Sequence, residues 1–245
     1  MKDIHSHVIY GIDDGSKDIE ESINILKNAY EQGVTDIICT PHYIEDSKYI
    51  CDNKEKLKRL NSIKKELIKN NIDINLYLGN EVYFSENLLQ LIKKNKISTL
   101  NGSRYILFEF SLNNKPRHVS KEIFKLVSNG YIPILAHPER YEFFKKNPDL
   151  INKYLEMGVL LQGNYLSLYG RYGFRAKRLF KKYLKKGYYS FLGSDMHHGG
   201  DYRLDTLEKD LFKYTKDKKY VDDLLYNNFD RIINNEDSTI RRILK

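Results

Sequence analysis

Seven short apolar runs alternate with amphipathic helical patterns along this chain, and few folds accept that order. The runs cover residues 3–8, 35–40, 74–79, 104–110, 132–136, 159–164 and 188–193. Between the first two, residues 17–32 place Ile19, Ile23, Leu26, Ala29 and Tyr30 on one helical face. Residues 53–70 repeat this with Leu57, Leu60, Ile63, Leu67 and Ile68 over a lysine-rich opposite face, and residues 85–94, 119–129, 148–157 and 174–186 follow suit. Gly33, Gly130, Gly158 and Gly187 stand where helix C-caps are needed. The 245 residues contain no linker, low-complexity segment or internal repeat. The expected fold is therefore α/β, one domain over residues 1–245, built as a distorted (β/α)7 barrel, closed or nearly so. From about residue 204 a polar helical tail follows, with breaks expected at Asn227–Asn228 and Asn234–Asn235.

Six of the seven histidines lie in four segments that follow or complete these runs: Asp3-Ile4-His5-Ser6-His7, Thr40-Pro41-His42, Ala136-His137-Pro138-Glu139-Arg140 and Gly193-Ser194-Asp195-Met196-His197-His198. Chemistry in such barrels gathers at the C-terminal strand ends, which puts all four segments at one mouth. A multinuclear metal site needs this convergence of nitrogen and oxygen ligands. His5 and His7 share a strand face by the i, i+2 rule, as do Asp195 and His197. Asp14 is either a ligand or a cap for the helix near residue 17, a role that suits Ser16 or Asp18 better. His42 reads as a ligand or a turn residue, and Glu81 as a bridging carboxylate or a solvated loop residue. Glu109 lies within the apolar run Tyr105–Phe110. It faces solvent if Phe108 and Phe110 point inward, but both faces of a parallel barrel are covered. A buried carboxylate without a partner is costly, so a metal role is favoured. Arg140, three residues after His137, can grip an anion with two parallel N–H groups.

Composition removes competing chemistries. Two cysteines, Cys39 and Cys51, give neither a disulfide framework nor zinc-finger spacing. Nor is either followed at six positions by the arginine of a cysteine-dependent phosphatase, since Glu45 and Leu57 stand there. The net charge of +8 suits phosphorylated or polyanionic partners, although lysines spread along helix faces also simply keep a chain soluble. No apolar run approaches the ~18 residues of a membrane span, so no membrane insertion is expected. The start does not read as a signal peptide, and a reducing, cytoplasmic setting is the expectation.

In order and spacing, Asp3-Ile4-His5-Ser6-His7, Asp13-Asp14-Gly15, Thr40-Pro41-His42, Gly79-Asn80-Glu81, Phe108-Glu109-Phe110, His137 through Tyr141 and Ser194 through His197 resemble the PHP (polymerase and histidinol phosphatase) superfamily. Within it they look like the CpsB/CapC-type, manganese-dependent protein-tyrosine phosphatases of bacterial capsule and exopolysaccharide operons. The resemblance runs over nearly the whole chain. It implies the PHP fold and three divalent metal ions. His5, His7, Glu81 and Asp195 would hold one, Glu81, Glu109 and His137 the second, and Asp14, His42 and His197 the third. Manganese is implied, and mixed nitrogen–oxygen sites also accept iron or zinc. The four carboxylates carry −4, so three divalent ions leave a site of +2 for a phosphate-monoester dianion, whereas two leave it neutral. Arg140 would bind the phosphoryl group, with Arg203 beside it, although the spacing around Arg203 departs from the pattern. His42 and His197 are candidate proton donors. Arg117 and His118 line the cleft or lie on the surface.

The implied reaction is metal-assisted phosphoryl transfer to water from phosphotyrosine on the tail of an autophosphorylating bacterial tyrosine kinase. Glu20-Glu21-Ser22 is similar to a segment that some relatives use for assembly, which leaves a homo-oligomer open. The alternative within the superfamily is a small-molecule phosphatase such as a histidinol-phosphate phosphatase. A remote alternative, a basic nucleic-acid-binding protein or nuclease, rests on the lysine-rich patterns 53–70 and 175–186, and no nucleic acid is expected.

Overall fold

The computed structural model describes residues 1–199 and 202–237. Two of the seven runs, 35–40 and 74–79, are followed across short interruptions at Pro41 and Gly79-Asn80 by further strands that the runs did not mark, so seven runs yield nine strands. These are β1 (Lys2–Ser6), β2 (Asp36–Cys39), β3 (His42–Tyr43), β4 (Asn75–Leu78), β5 (Glu81–Tyr83), β6 (Tyr105–Glu109), β7 (Ile132–Ala136), β8 (Leu160–Asn164) and β9 (Phe191–Gly193). Proline has no N–H to give a ladder, and the pairing changes partners where it stands. Two parallel sheets result, ordered β1-β2-β4 and β3-β5-β6-β7-β8-β9. β2 leads into β3, and β4 into β5, across the interruptions. The ring closes between β9 and β1: the amide of Asp195 donates to His5 O at 2.9 Å and that of His7 to Met196 O at 2.8 Å. The result is a distorted parallel barrel of seven staves, two of them interrupted. Its last stave is shorter than its run, since Tyr188–Ser190 precede the strand.

The helices Ile19–Glu31, Asn53–Lys69, Leu88–Lys93, Val119–Ser128 and Gly173–Lys185 occupy their expected stretches. Asp18 caps the first by accepting the Glu21 amide at 2.9 Å, which leaves Asp14 free for the mouth. The pattern at 148–157 divides into a 3-10 turn, Pro148–Leu150, and the helix Ile151–Glu156. Glu142–Lys146 adds a helix that the apolar pattern did not mark. In the tail, Asn227–Asn228 is no break: a π turn over Asp223–Asn227 runs straight into the helix Asn228–Ile233. That helix does stop at Asn234–Asn235, where Asn235 takes a φ of 55°.

Strand alternation sorts the apolar side chains into two layers. Ile37, Ile106, Phe108, Leu135, Leu161 and Leu192 join the large outer layer against the helices. Ile4, Ile38, Tyr105, Leu107, Ile134, Leu160 and Phe191 fill the barrel, and Phe229 and Ile232 of the tail helix complete that inner cluster. Phe108 and Phe110 thus face outward, and Glu109 follows Tyr105 and Leu107 to the inside. The apolar filling leaves the C-terminal strand ends for polar groups. No helix among the described residues is long and apolar enough to cross a membrane.

Candidate metal centre

The site begins with an irregularity in β1. Its pairing with β2 is in register at Asp3–Ile37 but has slipped by Ser6–Cys39. The slip turns consecutive residues inward: Ile4 joins the barrel filling, and His5 Nδ1 lies 2.9 Å from Gln162 Oε1 on β8. Bulges re-aim side chains in this way. A glutamine oxygen only accepts, so His5 donates from Nδ1 and its Nε2 is bare. His7 Nδ1 lies 2.7 Å from Asp13 Oδ2, which bares its Nε2 by the same logic.

Both bare nitrogens converge. They stand 3.1 Å apart, and each lies 3.2–3.3 Å from Glu81 Oε2 and 3.5 Å from Asp195 Oδ1. Donors about 2.0–2.2 Å from one cation stand about 3.0–3.5 Å apart. Two further groups adjoin. His42 Nδ1 faces Glu81 Oε2 at 3.1 Å and Glu109 Oε1 at 3.2 Å. On its other side His42 Nε2 lies 3.6 Å from Asp14 Oδ1, which is also 3.6 Å from His197 Nε2, and His7 completes that group. His137 Nε2 lies 2.9 Å from Glu81 Oε1 but 4.0 Å from Glu109 Oε2. His42 therefore joins the Glu81–Glu109 pair more closely than His137 does. All nine ligand candidates, His5, His7, Asp14, His42, Glu81, Glu109, His137, Asp195 and His197, lie in one cluster.

The donor set fits cations. Glu81 Oε2, Asp195 Oδ1, His42 Nδ1 and His137 Nδ1 are buried without a hydrogen-bond partner. Lone pairs aimed at one another in a buried space repel, and a cation removes both problems. The charges of the cluster act on its members in opposite directions. Burial disfavours charge on His42, yet Glu81 and Glu109 outweigh it and hold the imidazole at about 9. His197, buried beside His7, is pushed down to about 4. Burial also works against ionised Asp13, but His7 and the His42 amide hold it at about 2.

Asp195 and His197 do not share a strand face. β9 ends at Gly193, Asp195 takes a left-handed φ of 54°, and the two side chains enter different groups. His137 is also left-handed, with φ 34°. Such backbone is strained for a residue with a Cβ and clusters at functional sites. Two glycines allow the close packing. A Cβ on Gly15 would lie 2.1 Å from His7 O, and one on Gly193 would lie 2.6 Å from His5 Cβ.

Arg140 stands at the edge of the cluster, ion-paired with Asp195 Oδ2, with the Tyr172 ring centroid 4.5 Å from its guanidinium carbon. Asn164 Nδ2 donates to the same carboxylate oxygen at 2.7 Å. Gln162, Asn164 and Tyr172 carry no expectation from the sequence, and Asp13 figures there only within Asp13-Asp14-Gly15, without a role of its own. Gln162 left a trace there, as an amide inside the apolar run 159–164. His198 is exposed and pairs with Glu21 at 3.1 Å. His118 directly precedes the helix Val119–Ser128 and belongs to none of the three ligand groups, and Arg117 lines a cavity of about 330 Å³ beyond the end of β6. Arg203 is exposed, with φ 51°.

A family model described as capsular polysaccharide synthesis, CpsB/CapC, matches residues 1–234. The chain belongs to the CpsB/CapC family. CapC of Staphylococcus aureus is 36% identical over 225 residues, covering 91% of this chain and 87% of that protein. The tyrosine-protein phosphatase YwqE of Bacillus subtilis is 30% identical, covering 92% and 87%. A chain from the crystal structures of YwqE and of Streptococcus pneumoniae CpsB, described as metal-dependent tyrosine phosphatases, matches with a TM-score of 0.86 at 28% identity. The match covers 97% of this chain and 96% of that one. A lactonase from Listeria monocytogenes, at 11% identity and a TM-score of 0.56, shares the fold alone.

Proposed function

We propose that this CpsB/CapC-family protein is a metal-dependent protein-tyrosine phosphatase that removes phosphate from the tail of a tyrosine kinase in capsule or exopolysaccharide synthesis. The observation that carries the reading is that His5 Nε2 and His7 Nε2 stand 3.1 Å apart and each lies 3.2–3.5 Å from Glu81 Oε2 and Asp195 Oδ1, with the outer nitrogens of both histidines already committed. Three divalent cations, manganese first, are assigned to the cluster: one to those four residues, one to Glu81 and Glu109 with His42 or His137, and one to Asp14, His42 and His197. When bound, such cations supply Lewis acidity toward phosphoryl oxygens and lower the pKa of water.

The chain's own groups do the rest. Arg140 presents a guanidinium at the edge of the cluster, held by Asp195 and Tyr172, and there meets charge on the non-bridging oxygens. A histidine nitrogen that ligates has no proton to give, so His42 and His197 serve as donors only through a nitrogen left free. A tyrosyl leaving group, with a pKa of ~10, needs less protonation than an alkoxide.

Chelator-treated protein is expected to lose hydrolysis of a phosphotyrosine peptide and to regain it with Mn2+. Full activity in excess chelator overturns the metal mechanism. Faster turnover of histidinol phosphate than of the peptide moves the substrate to the small-molecule class.

A further inference from the structure

Lys56 is fully buried, on the inward side of the helix Asn53–Lys69. Among the described residues its ammonium hydrogen-bonds Asn80 Oδ1 and forms no salt bridge, while Cys51 and Asp52 favour its charge only from a longer range. An ammonium group placed so costs several kcal/mol in desolvation. Burial lowers its pKa from 10.5 to about 8. A lysine stem alone would fill the space no better than methionine, so the position calls for a reason.

Asn80 supplies it. The residue directly precedes Glu81, and its Oδ1 takes both the Lys56 ammonium and the Ser98 amide, the latter at 2.9 Å. Its Nδ2 donates at 2.7 Å to the carbonyl of Pro41, the residue directly before His42. Asn80 thereby latches together the two interruptions where β2 passes into β3 and β4 into β5. Those interruptions set His42 opposite Glu81, where Nδ1 and Oε2 meet at 3.1 Å. The same helix reaches the first loop as well: Arg59 Nη1 donates to Tyr10 O at 2.7 Å, four residues before Asp14.

We infer that Lys56 is a positioning residue for the metal centre: its ammonium fixes Asn80, and through Asn80 the spacing of Glu81 and His42. The inference rests on the reading that these two side chains hold cations. It differs from a packing role in a measurable way. A buried charge that only fills space can be replaced by an apolar side chain of similar volume with neutral or favourable effect on stability, and without effect on ligand binding.

The test is calorimetric titration of Mn2+ into chelator-stripped wild type and Lys56→Met, with thermal unfolding of both metal-free proteins. Residues behind metal ligands change affinity by about 10–100-fold when removed. The expected result is a loss of that size for at least one ion in Lys56→Met, with metal-free unfolding at or above the wild-type temperature. A wild-type isotherm in a folded Lys56→Met overturns the inference. If Lys56→Met does not fold, Lys56→Leu, which likewise removes the donor, is judged by the same criterion. Wild type that binds no Mn2+ sinks the metal reading itself, whereas equal binding by wild type and variant sinks only the role of Lys56.

Discussion

An imidazole meets a cation only through a bare nitrogen, so the group behind each histidine matters as much as the space ahead of it. Gln162 and Asp13 serve His5 and His7 in this way. Gln162→Leu keeps the volume and removes the acceptor. The expected outcome is about 10–100-fold weaker Mn2+ binding in a protein that still folds, read by calorimetry and circular dichroism. Unchanged affinity would show that packing alone orients His5. The histidines themselves were legible in the sequence because they sit at strand ends. Their second partners were not, because a glutamine at position 162 or an aspartate at 13 shows its meaning only when another strand or loop is laid against it. Asp14 drew attention as a ligand, while its neighbour Asp13 carries the shorter contact to a histidine.

At the level of strands and turns, the apolar runs marked the staves, but alternation alone left Glu109 on either face. It was the cost of burying a carboxylate on a covered barrel strand that favoured the inward side it takes. The period-two pattern missed three places where the backbone aims the side chain instead. The slip in β1 presents His5 beside Ile4, and left-handed turns present His137 and Asp195. A one-residue irregularity leaves almost no mark in composition, and the i, i+2 rule that paired Asp195 with His197 assumed a strand that ends at Gly193. β9 also shows how tightly the layers are set. Gly193→Ala would bring a Cβ to 2.6 Å from His5 Cβ and 2.9 Å from Gln162 Nε2. Overpacking of this kind costs about 1–3 kcal/mol. A lower unfolding temperature of the metal-free variant, together with weaker metal binding, is the expected pair of results. Wild-type behaviour in both would mean that β9 can move away from β1.

For the molecule as a whole, the apolar filling and the cluster of candidate ligands occupy opposite ends of one barrel. Phe229, 3% exposed, belongs to the filling. Phe229→Ala is expected to cost about 3–5 kcal/mol in stability, seen as earlier thermal unfolding, while Mn2+ stoichiometry at low temperature stays at the wild-type value. Loss of an ion in that variant would show that the two ends are coupled. The seam between β9 and β1 ties them to time as well as space. His5 and His7 stand on one side of it, Asp195 and His197 on the other, nearly two hundred residues apart in the chain. A growing or refolding polypeptide therefore has no complete four-atom centre until the ring has shut. Metal uptake in a refolding experiment would then act as a clock for ring closure, lagging behind helix formation and arriving with the last stave.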